Sequence, residues 1–304
     1  MKFPFHGLMA PVLTPFTDDS EQNLKLEEIT KYAKFLNSIG ITAVLVNGTS
    51  GEGMSMTVAE RKAVTEAWVT AVKETRQTLM VQIGGASIRD VQDMAKHCES
   101  LKVDGLLCLP DLFNKPGTIE DLVNYLHLVS KSAPKTPLLY YHLPGYTGVN
   151  LDMAKFLNAA AAEIPTFCGA KFTHTDLQEG ARCLEAAGGN LSLFLGCDQI
   201  MAGAYILGFD SAIATTLNML PGPSQKILAA VKNNNNSEAL QEQRKLTKAI
   251  DVMTRNGGWV ATMKAAMNVM TPINVGAPRP PLKALTKEHI QQLKEELRTL
   301  KLIS

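Results

Sequence analysis

"ITAVLVNGTSGEGMSMTVAERKAVTEAWVTAVKETRQTLMVQIGG", residues 41–85, contains the unit from which the rest of the chain is built. It opens and closes on short apolar, β-branched runs. Between them apolar residues fall three and four apart, as an amphipathic helix requires. Thr57 followed by Glu60 has the spacing of a capping box, which satisfies the free amides of a helix start. Strands that are apolar throughout are buried on both faces, and two of them joined by a helix run parallel.

The same unit recurs in both directions. "LMAPVLTPF" (8–16), "GLLCLP" (105–110), "PLLYYHLP" (137–144), "FCGAKFT" (167–173), "LSLFLG" (191–196) and "SAIATTL" (211–217) join the two runs above to give eight strand candidates. Ser87 with Asp90 and Thr118 with Asp121 are weaker helix starts. Eight βα units predict an α/β fold, a (β/α)8 TIM barrel, whereas an open doubly wound sheet would usually carry a phosphate-binding glycine loop. The sequence has neither GxGxxG nor a Walker loop. Residues after the eighth strand are helical in pattern, with "NNNNS" (233–237) as a polar loop. The expected organisation is one domain over 1–304: a barrel over 1–232 and a C-terminal helical extension over 233–304 packed on it.

Composition narrows the function. At 304 residues and 45% hydrophobic content the chain can bury a large core, and a net charge of +1 with scattered basic residues offers no footprint for nucleic acid or an anionic membrane. A small-molecule substrate is the expected partner. Five cysteines without CxxC or zinc-finger spacing argue against a disulfide framework or a structural metal. The N-terminal segment is apolar but broken by prolines and has no small-residue cleavage site, so it does not read as a secretory signal. No apolar stretch reaches the roughly 20 residues of a spanning helix. A cytoplasmic location is expected.

In barrels of this type chemistry sits at the C-terminal strand ends. Strict alternation along the sixth strand puts Phe167, Gly169, Lys171 and Thr173 on one face and Cys168, Ala170 and Phe172 on the other, helix-facing one. Lys171 is then inside the barrel near its mouth, with Gly169 leaving room for its stem. A lysine at its ordinary pKa is uncharged in only about one part in 2,500 at neutral pH, so a partly dry site must supply roughly 3 to 4 kcal/mol of desolvation to make the amine reactive. Such an amine attacks a ketone or aldehyde to form a Schiff base. The alternative, a lysine paired with a carboxylate, lacks an acidic residue on the same strand face.

On the fifth strand Leu139, Tyr141 and Leu143 share a face, which brings Tyr141 beside Lys171 across about 4.8 Å as a proton-transfer group; His142, on the other face, points toward the helices. "VNGTSGEG" (46–53) has the glycines and hydroxyls of a small anion cradle, sized for a carboxylate, in Thr49 and Ser50.

"GTSGEG", "YYHLPGYTG" and "GAKFTHTD", in this order and spacing, resemble the pyruvate-dependent Schiff-base aldolases, the family of the N-acetylneuraminate lyases and dihydrodipicolinate synthases. The resemblance spans most of the chain. It implies Lys171 as the Schiff-base lysine, Tyr141 as the proton-transfer residue, and Thr49 and Ser50 as binders of the pyruvate carboxylate. It implies no metal or organic cofactor, and a homotetramer. Synthases of this family carry arginine where this chain has Tyr146, which cannot make that charge-assisted pair. "FLGCDQI" and "AIATTLN" resemble the lyase branch, which makes Gly196, Asp198, Gln199 and Thr215 the polyol-binding candidates; Thr173, in "GAKFTHTD", is a further substrate-binding candidate. Lyases of the family usually have glutamate at the position of Gln199 and serine at that of Thr215. The implied reaction is retro-aldol cleavage of a sialic acid to pyruvate and an N-acetylated sugar. Cleavage of another 2-keto-3-deoxy sugar acid, or a silent sugar-acid-binding barrel, is the alternative. Trp259 is read as core or pocket wall.

Overall fold

The computed structural model describes residues 2–304. Strands β1 (Leu8–Pro11), β2 (Ala43–Val46), β3 (Thr78–Gln82), β4 (Gly105–Cys108), β5 (Leu138–His142), β6 (Phe167–Phe172), β7 (Ser192–Leu195) and β8 (Ser211–Ile213) close in sequence order into an all-parallel barrel. Around it lie α1 (Glu28–Ser38), α2 (Val58–Thr75), α3 (Ile88–Ser100), α4 (Ile119–Ser130), α5 (Pro144–Thr147), α6 (Met153–Glu163), α7 (Leu177–Leu184), α8 (Met201–Ile206) and α9 (Pro221–Lys232). Helices α10 (Asn236–Thr254), α11 (Trp259–Met270) and α12 (Lys287–Thr299) follow, with α10 packed on α8 and α9. This is the expected (β/α)8 architecture. Thr57 and Thr118 both form full reciprocal capping boxes, the second stronger than its Asp121 suggests. No helix among the described residues is long and apolar enough to cross a membrane.

Burial divides into two layers, as a barrel buried on both faces demands. Met9, Ala43, Leu45, Met80, Leu107, Leu139, Phe194 and Ile213 fill the interior, and a larger cluster fills the space between strands and helices. Phe3 belongs to the interior set: it packs edge-to-face on Phe194 at 5.7 Å and closes the bottom of the barrel. The apolar N-terminal segment is therefore a plug.

One expectation about β6 is corrected. Leu138 pairs with Phe167 and the adjacent Leu139 pairs with Gly169, so Cys168 is the extra residue of a β-bulge. Phe167 joins the helix-side layer and Cys168 the barrel interior, the reverse of strict alternation. Gly169 serves the backbone rather than the lysine stem: a Cβ there would lie 1.9 Å from the Ser192 carbonyl oxygen of β7. Past the bulge the alternation resumes, and Lys171 faces inward as expected.

Candidate active site

The nine residues singled out from the sequence line one cavity of about 270 Å³ at the C-terminal mouth of the barrel. At its base Tyr141 and Lys171 are direct register partners on β5 and β6. Lys171 Nζ donates to the Tyr141 hydroxyl at 3.1 Å and sits 4.4 Å from the centre of its ring. The Tyr141 oxygen is also 3.2 Å from Thr49 Oγ1. An amine, a phenol and an alcohol thus form one chain, along which a proton has hydroxyls to move through. Lys171 is 5% exposed and makes no ion pair among the described residues, so the carboxylate-paired alternative does not hold.

The chain carries a second buried lysine, and this one is ion-paired. Lys264, on α11, is paired with Glu52 at 2.8 Å, both side chains fully buried. Burial draws the Lys264 pKa down to about 8, against the pull of Glu52. Glu52 accepts from the Arg279 backbone amide as well, and Arg279 pairs with Glu60 at 2.7 Å. This network braces the loop that presents Thr49 and Ser50. Glu52 takes a left-handed backbone (φ 55°), and a Cβ on Gly53 would lie 2.0 Å from the Asn47 carbonyl oxygen, so the turn requires glycine there. Sequence reading missed this brace because its partners are 212 residues apart; an acid within "GTSGEG" was the only local sign.

On the opposite side of the cradle Ser50 Oγ and Thr215 Oγ1 are 2.7 Å apart, and Trp259 Nε1 donates to Thr215 at 3.2 Å. Trp259 is therefore a wall of the cavity. Thr173 Oγ1 is buried with no partner, a hydroxyl free to meet a ligand. Gly196 makes room for it: a Cβ at Gly196 would lie 1.9 Å from that oxygen. Asp198 is buried, and burial raises its pKa while hydrogen bonds from the Thr216 amide and hydroxyl oppose the rise. Those bonds occupy one carboxylate oxygen. Gln199 donates through Nε2 to Asp251 on α10 at 3.3 Å, leaving its carbonyl oxygen as the acceptor side. Thr175, Cys197 and Ile200 also line the cavity and were not foreseen, because they lie in loops whose course strand periodicity does not predict. Tyr146 stands at the mouth, 71% exposed, where the site opens into a more apolar cavity of about 480 Å³ flanked by Met54, Leu109 and Leu282.

Residues 4–300 match the model of the dihydrodipicolinate synthetase family. The chain is 33% identical to the N-acetylneuraminate lyase of Homo sapiens, over 100% of this chain and 96% of that protein. It is 36% identical to that of Danio rerio over 91% and 90%. Among solved structures, the N-acetylneuraminate lyase (sialic acid aldolase) of Aliivibrio salmonicida superposes with a TM-score of 0.93 at 35% identity, covering 100% of this chain and 99% of that one. With this fold, a lysine and tyrosine paired across β5 and β6, and similarity along its whole length, the chain belongs to the dihydrodipicolinate synthetase family.

Proposed function

We propose that the protein is a lyase, a Schiff-base aldolase that cleaves N-acetylneuraminate to N-acetylmannosamine and pyruvate. The observation that carries the reading is the unpaired, buried Lys171 amine 3.1 Å from the Tyr141 hydroxyl at the base of the cavity. Lys171 attacks the C2 ketone of the open-chain sugar acid and expels water to give an iminium. Thr49 and Ser50 hold the substrate carboxylate, which fixes the torsion about C2 so that the C3–C4 bond aligns with the iminium π system. Tyr141 takes the C4 hydroxyl proton, aided by Thr49, as C3–C4 breaks. The bonding pair enters the iminium and leaves an enamine, while C4 becomes the aldehyde of the departing sugar. Protonation at C3 and hydrolysis release pyruvate and restore the amine.

Thr173, Asp198, Gln199 and Thr215 face the polyol, beside Gly196. The names of the full-length relatives support this choice of substrate. A second reading, cleavage of a different 2-keto-3-deoxy sugar acid, is favoured by Gln199: it is tied to Asp251, and its side chain both donates and accepts where an ionised glutamate would only accept. Rates on N-acetylneuraminate and on simpler 2-keto-3-deoxy acids, with wild type and Lys171→Ala, test both. Turnover of N-acetylneuraminate that is lost in Lys171→Ala is the expected result.

By the same reading the enzyme works in the cytoplasm as a homotetramer. Phe113, 92% exposed in the β4–α4 loop, supports a subunit contact, which light scattering of the purified protein checks.

A further inference from the structure

The outer side of the β5–β6 seam carries a second cluster that aldol cleavage does not use. His142, at the end of β5, points away from Lys171 and stacks on Phe172 with ring centres 5.3 Å apart. His174, just past β6, meets it edge-on at 5.7 Å. Glu179, on α7, accepts from the Met153 amide through Oε1 at 3.3 Å. Its other oxygen, Oε2, lies 3.8 Å from His142 Nε2 and 3.4 Å from His174 Nδ1.

These groups are placed but not satisfied. His142 is fully buried, and neither of its ring nitrogens has a hydrogen-bond partner; His174 Nδ1 has none either. A buried polar atom without a partner is costly, and two of these, His142 Nε2 and His174 Nδ1, face the same carboxylate oxygen of Glu179. One ligand atom from each residue lies within 4.8 Å of the others. Zinc held at about 2.0 to 2.2 Å by two imidazoles and a carboxylate needs its ligand atoms somewhat closer than that, a distance side-chain adjustment can supply. An open cleft of about 380 Å³, bordered by His174, Glu179 and Asp176, gives water access for a fourth position.

We propose that His142, His174 and Glu179 bind one divalent cation of the zinc class, with water completing a tetrahedral set. Bound there, the ion ties the end of β5 and the β6–α7 loop to α7. Thr173 and Thr175, on either side of His174, line the catalytic cavity, so the ion also stiffens one of its walls.

Full-length protein, loaded with zinc chloride and desalted in reducing buffer, is expected to retain one equivalent of zinc by elemental analysis. Cobalt in its place should give visible tetrahedral absorption with no thiolate-to-metal charge transfer. Loss of a mere outer-shell partner costs about 10- to 100-fold in affinity. His174→Ala and Glu179→Gln should each therefore weaken zinc at least about 100-fold in competition with a chromophoric chelator. Lys171→Ala should bind as wild type. Glu179→Gln keeps an acceptor for Met153, so it decides the matter if His174→Ala does not fold. No zinc retained by wild type, as a cluster holding only buried water would give, overturns the proposal. So does equal retention by Glu179→Gln, or a thiolate band.

Discussion

Replacing Tyr141 with phenylalanine separates the chemistry of the phenol from its packing. The ring would still fill the interior beside Leu139 and Leu143 and still lie under the Lys171 amine. What goes is one oxygen, with its contacts to Lys171 at 3.1 Å and Thr49 at 3.2 Å. Two hydrogen bonds are worth about 0.5 to 1.5 kcal/mol each, and both partners face a cavity that water can enter. The variant should lose only about 1 to 3 kcal/mol of stability and remain folded. Proton transfer by a positioned group contributes about 10²- to 10⁴-fold, or roughly 2.7 to 5.5 kcal/mol of barrier. Since that transfer happens only in the transition state, kcat and kcat/KM should fall together by that factor. Continuous pyruvate release, coupled to NADH oxidation by lactate dehydrogenase, reads the rate, and circular dichroism confirms the fold. A Tyr141→Phe enzyme within about threefold of wild-type kcat would refute the phenol's role.

Thr215→Val removes only the hydroxyl that joins Ser50 to Trp259, and should cost about 1 to 3 kcal/mol in urea unfolding and raise KM, whereas Thr215→Ser should restore both; equal stability of all three would dismiss the bridge. Gly169→Ala drives a methyl into the Ser192 carbonyl and should cost about 1 to 3 kcal/mol or more, seen as a lower Tm together with weaker activity as Lys171 shifts. The fold should also weaken at alkaline pH. Burial pushes the Cys98, Cys108 and Cys168 thiols up to about 12, against 9.0 for a free thiol. The unfolded chain therefore releases protons that the folded chain keeps: their stabilisation is complete below pH 9 and is lost as pH rises toward 12. At pH 10 the loss is on the order of 1 kcal/mol per thiol. Lys264, drawn down to about 8, works the other way above that pH and offsets part of it. The urea midpoint should thus decline from about pH 9.5 upward, less steeply in Cys98→Ala; a midpoint still rising at pH 11 would contradict this balance.

The barrel was legible because its strands are buried on both faces and its helices on one, so apolar runs and amphipathic stretches alternate in plain view. The pairing of Tyr141 with Lys171 followed from the same periodicity applied to neighbouring parallel strands. Phe167 and Cys168 were assigned to the wrong faces because a bulge is set by how closely two backbones approach, here Gly169 against Ser192, and hydrophobicity does not record that. The inward direction of Lys171 survived because the bulge lies before it. The Glu52–Lys264 brace and the Phe3 plug join segments far apart in the chain, beyond any local pattern. His142 was correctly turned toward the helices, but its unpartnered nitrogens and its meeting with Glu179 appear only when β5, β6 and α7 are seen together.

The most direct measurement is covalent capture. Wild-type protein incubated with pyruvate and reduced with borohydride, then digested and weighed, should carry a single reduced adduct on the peptide containing Lys171. Lys264, held by Glu52, should stay unmodified. An unmodified Lys171, or an adduct on another lysine, would contradict the account.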